Sequence, residues 1–501
     1  MRRPDLDKTT SSRHPGTALL PLGALAAGFG FALGGAQAQT PDAPAAAASA
    51  ASAPPAAAAN EATLAPIKVR AQAEAAGKDA YRATETRIGK GQQELRDIPQ
   101  SVTVVTEKLI DDRNLDTMKD VLKNTSGISF LAAEGGEEDI RLRGFSLQAT
   151  GDVFVDGMRD PAFYERDTFF LDRLEVLRGS ASMLFGRGST GGAVNQVTKV
   201  PRLINENQVD VTMGNHAYVR AVGDFNLKLG ESSALRLGTM VTKADNNGAG
   251  TSLDKRGIAA TYRWGIGERD EFSVGAYVLD NDNGMNYGMP WIRPTLASPV
   301  SDSTLLPISP SAYYGMASDR NAGGAQTLTA THTHRFGAGT ELVTKLRRGA
   351  YDRDQRAGTV RFAAAALQPG GLGVSLATFG PGSVINRGTQ LKIQNMDTIH
   401  AQSDLSTRFQ AGGMGHEVQA GADFAREQKE VFAARTAAQG GVTLSKPTTT
   451  IGTPDDGAAI AEDSRVLRRS SAYTSKAAGV YVQDLTENTH DWNLHTDESN
   501  K

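Results

Sequence analysis

Three short patterns and one scattered set of side chains could do chemistry. Gly186-Arg187-Gly188-Ser189-Thr190-Gly191 has the glycine spacing of a phosphate-cradling loop. Such a loop must leave a strand and open a helix. Here a helix-like turn at 182–184 precedes it and an extended stretch, AVNQVT, follows. The order argues against a dinucleotide site. Asp280-Asn281-Asp282-Asn283-Gly284 has the residue types of a calcium loop, but its glycine is fifth and no glutamate comes twelfth. It reads as the start of a solvated loop. His332 and His334 fall on one face of a strand, with no third donor near them in sequence. They read as wall residues, and no metal site is expected. The scattered set is Arg143, Phe145, Arg159, Tyr164 and Arg166, with Tyr287, Trp291, Arg293, Tyr313 and Tyr314 further on. Guanidinium groups beside aromatic faces bind through charge, cation–π contact and stacking. No Ser/His/Asp or paired-carboxylate arrangement accompanies them, so binding is the expected chemistry and an enzyme is not.

The elements that position these residues are of two kinds. Between residues 97 and 201 the pattern is α+β. A β-branched strand at 101–105 leads into a helix starting at Glu107, with Thr106 placed to cap it. Asp116 can cap a second helix that puts Met118, Val121 and Leu122 on one face until Gly127 stops it. Stretches at 139–144 and 153–155 alternate as strands, and Asp156-Gly157 is a hairpin turn. The stretch 174–199 is a compact strand–turn–strand. Gly179, Gly186, Gly188, Gly191 and Gly192, with Arg187 among them, form its hinge.

After Pro201 apolar residues recur at every second position. Leu235, Leu237, Thr239 and Val241 make one face and Arg236, Gly238, Met240 and Thr242 the other. Short glycine-containing turns at 230–233, 265–270, 337–340 and 410–415 alternate with long links at 244–255, 281–326, 352–395 and 428–476. That is the pattern of an antiparallel transmembrane β-barrel. A soluble β-sandwich seldom needs several structureless loops of this length.

At 501 residues the chain exceeds one ordinary domain. Hydrophobic residues are 39% of it, and no apolar run reaches the about 20 residues of a membrane-spanning helix. Having no Cys excludes disulfides and thiolate metal sites. A net charge of −3 gives a nucleic-acid partner no electrostatic support. Basic residues up to Arg13, an apolar stretch at 18–33 and Ala36-Gln37-Ala38 make residues 1–38 a signal peptide, whose removal leaves a charge near −5. Residues 39–62 are an Ala/Pro-rich disordered linker. In 63–70, Ile67 and Val69 alternate after Pro66, a segment able to add as a strand to a partner's sheet edge. Residues 71–96 link it to the α+β unit.

The motifs DIPQSVTVVTEKLI, DIRLRGF, VFVDGMRDP, RDTFFLDRLEVLRG and NQVTKVPR follow one another from Asp97. In these residues and this order the chain resembles the plug domain of TonB-dependent outer-membrane receptors, and most closely receptors for ferric catecholate siderophores. The resemblance implies an N-terminal α+β plug at 97–201 and, from 202, the N-terminal part of an antiparallel β-barrel. About ten strands are present, roughly half of the about 22 such a transporter closes with. The tail LHTDESNK lacks a terminal aromatic, so the chain is expected to be truncated within the barrel.

The same resemblance makes Leu64, Pro66, Ile67, Lys68 and Val69 a TonB box and TonB, with its inner-membrane energising complex, a partner. It places the protein as a monomer in the lipid of a Gram-negative outer membrane. The linker leaves no room for a signalling domain. A ferric siderophore is the implied ligand, held at the plug apex and loops by the arginine and aromatic set. The siderophore fills the iron's coordination shell, so no protein ligand to iron and no cofactor is expected. The plug arginines, Arg141 and Arg178 included, have an alternative role in ion pairs that hold the plug inside the barrel. Haem, cobalamin or a sugar are alternative ligands within the family. A passive porin or adhesin, which has no reason to carry a plug, and a non-functional truncated receptor are the other readings.

Overall fold

The structure, a computed structural model, describes residues 78–488 except 89, 131–138, 148–150, 161–163, 186–189, 246–250, 338, 443 and 462–466. The signal-peptide, linker and TonB-box readings therefore lie outside the described residues, as do Gly186, Arg187 and Gly188.

The β-branched run Ser101–Thr106 is a strand that passes directly into the helix Glu107–Asp112. Thr106 stands at the N-cap position, but its side chain makes no capping bond. The second helix, Met118–Leu122, is capped by Thr117 and not by Asp116. Thr117 Oγ1 accepts from the Asp120 N–H at 3.2 Å, and the Asp120 carboxylate accepts from the Thr117 N–H at 3.2 Å. This reciprocal pair satisfies two N–H groups that the helix cannot, and it releases Asp116 for another task. Met118, Val121 and Leu122 share the buried face and pack on Leu142, Leu147, Leu174, Val176 and Val194. The helix ends at Leu122, ahead of Gly127, whose φ of 78° serves the turn into Ile128–Phe130.

The sheet behind these helices runs Ser101–Thr106, Leu171–Arg178, Gly192–Thr198, Val153–Val155 and Met158–Arg159. Its one parallel pairing joins Gly192–Thr198 to Val153–Val155. Asp156 and Gly157 both have positive φ, 51° and 80°, as the tight hairpin requires. Gly192, at φ 137°, has Leu142 Cδ2 2.6 Å from where a Cβ would stand.

The second sheet has ten antiparallel strands, each bonded to the next in the chain, from Glu206–Met213 to Leu467–Asn488. Tight turns at 229–232, 265–269, Gly339 and 412–413 close one end, and the longer links lie at the other. The strands lengthen along the chain from 8 to 22 residues. At about 3.3 Å per residue the longest span about 70 Å, more than twice the about 30 Å of a bilayer core. Alternation places the strand Gln390–Ala411 only at 396–409, six residues short of its start.

Ala234, Arg236, Gly238, Met240, Thr242 and Ala244 are the buried face of Ser233–Ala244, as the alternation predicts. That face meets the α+β domain. The other face of the sheet exposes Val241, Ile258, Val274, Leu328, Leu346 and Ile399. Near the tight turns this apolar face carries a row of rings: Tyr262, Trp264, Phe272 and His332 stack in sequence at 5.4, 5.4 and 4.4 Å. An aromatic row bordering an apolar band is the outer surface of a membrane barrel.

The long links are folded. Val360–Phe362, Val384–Arg387 and Thr449–Thr450 form a three-stranded sheet. Over it Tyr314, Val360, Ile385 and Ile451 make a small core.

Two wall glycines set how closely the domains approach. Phe170 stacks over Gly238, and Phe169 Cε1 lies 2.6 Å from where a Cβ on Gly257 would stand. Gly257→Val should therefore overpack this seat at a cost of about 1–3 kcal/mol and open the α+β domain to protease. Gly337→Ala, with nothing within 4 Å of its Cβ position, should leave proteolysis unchanged. Equal sensitivity of the two variants would refute the close-approach argument.

Candidate functional site

The contact between the α+β domain and the wall is built from charge. Arg220, on the inner face of the wall strand Val219–Lys228, donates to both Asp167 oxygens at 2.7 and 3.0 Å and lies 3.3 Å from Asp116. Lys255 pairs with Glu165, and Asn281 donates to the Glu165 carbonyl at 3.1 Å. Arg347 reaches the Asp156 carboxylate at 3.2 Å and the Val155 carbonyl at 3.0 Å. Lys345 donates to the Asp156 carbonyl at 2.7 Å. Lys199, at the exit of the domain, lies 2.7 Å from Glu107 and 2.9 Å from Asp224, which also takes Arg236 at 2.6 Å.

Asp160 is the centre of this contact. Its two oxygens accept from Arg166 at 2.7 and 2.9 Å, Tyr164 at 2.9 Å and the wall residue Tyr351 at 3.0 Å. Arg166 also lies over the Tyr164 ring at 4.5 Å, and Tyr164 stacks on Tyr351 at 5.6 Å. Burial pushes the Tyr164 hydroxyl well above the ordinary phenol range, so it stays a donor.

The structure divides the arginine and aromatic set by exposure. Arg143 and Phe145, at the tip of the hairpin Ile140–Ser146, are exposed, Phe145 by 46%. Trp291 is 65% exposed, with Tyr287 and Arg293 half-buried nearby in sequence and Arg293 donating to the Ser298 carbonyl at 3.2 Å. The others face inward. Arg166 is 1% exposed and committed to Asp160. Arg159 donates to the Gly151 and Phe185 carbonyls and lies 5.4 Å from the Phe154 ring centre. Tyr313 and Tyr314 are buried, their hydroxyls donating to the carbonyls of Met285 and Met316, and of Ile451.

The expected ion-pair tether is present with its polarity reversed. Arg141 pairs with Asp139 at 3.6 Å, and Arg178 donates to the Ser126 carbonyl and the Ser101 and Thr103 hydroxyls, all inside the domain. The tether to the wall runs mainly from domain carboxylates to wall arginines and lysines. Sequence reading missed Asp156, Asp160, Glu165 and Asp167. The available signal was Arg220, Asp224 and Arg236 standing on the inward parity of their strands. Between the domain and the wall a cavity of about 850 Å³ remains, its lining including Asn195, Lys199, Thr329, Arg335 and Arg347.

Residues 94–193 match the family model described as TonB-dependent Receptor Plug Domain. Over that span the chain carries a TonB-dependent receptor plug domain, and its fold is that of TonB-dependent receptors. The α+β domain is its plug and the ten-stranded sheet is barrel wall. Among curated relatives, the probable TonB-dependent receptor BfrD of Bordetella pertussis is 28% identical over 70% of this chain and 46% of its own length. The catecholate siderophore receptor Fiu of Escherichia coli K12 is 24% identical over 75% of this chain and 50% of its own. The chain thus spans about half the length of these relatives. Among solved structures, the closed form of Fiu superposes with a TM-score of 0.71 at 23% identity, covering 82% of this chain and 57% of that one. The siderophore receptor PiuA of Acinetobacter baumannii gives 0.70 at 19% identity, covering 81% and 58%. These relatives are named as receptors and not as enzymes.

Removing one partner of a buried ion pair strands the other and costs about 3–5 kcal/mol. Asp160→Ala, which takes the shared carboxylate from Arg166, Tyr164 and Tyr351 together, should therefore lower the plug's unfolding midpoint in urea substantially. Glu430→Ala, which breaks the exposed Arg469 pair, should change stability by less than about 1 kcal/mol.

Proposed function

We propose that this chain forms the ligand-gating half of an outer-membrane receptor for TonB-energised uptake of a ferric siderophore of catecholate type. The observation that carries the reading is the plug locked to a barrel wall by buried ion pairs, an arrangement a passive pore does not need. The named relatives support the ligand class: Fiu is called a catecholate siderophore receptor, and others are called receptors for ferric pyoverdine and ferrioxamine. A ferric tris-catecholate is a multiply charged anion with exposed rings. Arg143, Phe145 and Trp291 are the members of the sequence-derived set that stand exposed with the matching chemistry. The siderophore fills the iron's coordination shell, so the protein holds the chelate and supplies no ligand to the metal. In this reading the protein is exported by residues 1–38 and sits as a monomer in the outer-membrane lipid. The segment Leu64–Val69 is gripped by TonB.

Uptake of radiolabelled iron by siderophore-deficient cells expressing a closed receptor barrel that carries this chain as its N-terminal half tests this. Ferric catecholate should accumulate in a TonB-dependent manner, and ferrioxamine should not. Accumulation of ferrioxamine alone would reassign the ligand, and uptake that persists without TonB would remove the mechanism. Trp291→Ala and Phe145→Ala should each weaken catecholate binding severalfold, on the scale of about 0.5–2 kcal/mol for an exposed cation–π or stacking partner. Ile67→Pro should block uptake while binding stays within about twofold, because proline removes a backbone donor needed for strand addition.

A further inference from the structure

The outward face of the wall carries a second cluster that the uptake reading does not use. Antiparallel register sets Asp270 directly opposite His334, and His332 lies two residues along on the same face. Both imidazoles converge on a single carboxylate oxygen: His332 Nε2 is 2.9 Å and His334 Nδ1 2.6 Å from Asp270 Oδ1. The three candidate donor atoms all lie within 4.8 Å of one another. Each ring is held in place by a neighbour, His332 stacked on Phe272 at 4.4 Å and His334 edge-on to Phe336 at 4.5 Å.

We propose that Asp270, His332 and His334 form a binding site for a divalent transition-metal ion of borderline softness, such as Zn²⁺ or Co²⁺. Two imidazole nitrogens and one carboxylate oxygen are a donor set such ions accept at about 2.0–2.2 Å. Small side-chain rotations open the present cluster to that radius, because all three groups approach from one side of the sheet. Asp270 opens its strand directly after the tight turn 265–269, at the rim of the aromatic row, so an ion can enter from the aqueous side and keep water in its remaining positions. Hard oxygen-seeking cations such as Mg²⁺ are disfavoured by the two nitrogens. Bound metal cross-links the strand Asp270–Gly284 to Arg320–Gly337 beside the aromatic row, independently of any siderophore.

Titration of the purified full chain in detergent with CoCl₂, read by the visible absorption of nitrogen-ligated cobalt, tests the site. The expected result is saturation at one equivalent, reversed by Zn²⁺. Asp270→Asn should weaken it at least about tenfold, and the double variant His332→Ala/His334→Ala should abolish it. His416→Ala, at a histidine paired with Asp484 and stacked on Phe409, should leave it unchanged. Unsaturable absorption, or binding that survives in the double variant, overturns the proposal. Circular dichroism of each variant checks the barrel. Should the double variant misfold, Asp270→Asn, which preserves shape, decides the matter. Because no siderophore or TonB enters the experiment, its failure leaves the uptake reading untouched.

Discussion

Charge taken out of water has to be answered by charge or hydrogen bonds, and this molecule places much of that demand at one surface. The plug turns Glu107, Asp116, Asp156, Asp160, Glu165 and Asp167 toward a wall that presents Arg220, Arg236, Lys255, Lys345 and Arg347. Replacing a well-made buried pair by apolar groups is often neutral for stability. What the pairs add here is selectivity of position. Arg220 matches both oxygens of Asp167 bidentately, and a plug shifted by one residue along the wall would leave several ions alone. The apolar contact of Phe169 and Phe170 with Met240, Ala259 and Leu279 sets the distance, and the ions set the register.

Much of the fold was readable because each stretch carries its own signal. The alternation of Leu235, Leu237 and Val241 with Arg236, Met240 and Thr242 needs no knowledge of the rest of the chain, and Asp156-Gly157 declares its turn by residue type alone. What could not be read depends on pairing across distance. Thr117 displaced Asp116 as a cap because Asp120 completes a reciprocal pair, a local signal that was outweighed. Asp116 then serves Arg220, a hundred residues away in sequence, which no pattern announces. Asp270 joins His334 only once the register of two strands is known. Tyr313 and Tyr314 carry the chemistry of a binding loop, yet they hold that loop together.

Separating exposed from buried members of one chemical set changes where recognition is sought. Arginine and tyrosine serve a binding surface and a buried network equally well by type. Here Arg166 and Tyr164 are consumed in holding Asp160, while Arg143, Phe145 and Trp291 keep their faces open. The buried members still matter to the surface, since they fix the plug from which Arg143 and Phe145 project. The strands that continue beyond a bilayer's thickness support the folded links in the same way, holding Trp291 on a scaffold with its own small core.

The order of strands in the plug sheet also has a mechanical meaning. Among the described residues Ser101–Thr106 lies at the sheet's edge, bonded to the single strand Leu171–Arg178. Tension entering from the N-terminal side must first free the short pair Glu85–Thr86 and Gln93–Glu94, with its contacts from Lys78 to Glu206 and from Arg408 to the Gln92 carbonyl, and then meets a single six-residue ladder. It then arrives at Glu107, clamped by buried Lys199. The segment bearing Asp156, Asp160 and Asp167 lies further along the chain and stays fastened to the wall. The domain is therefore graded in its resistance, with a leading part that yields to force and a following part that holds its place.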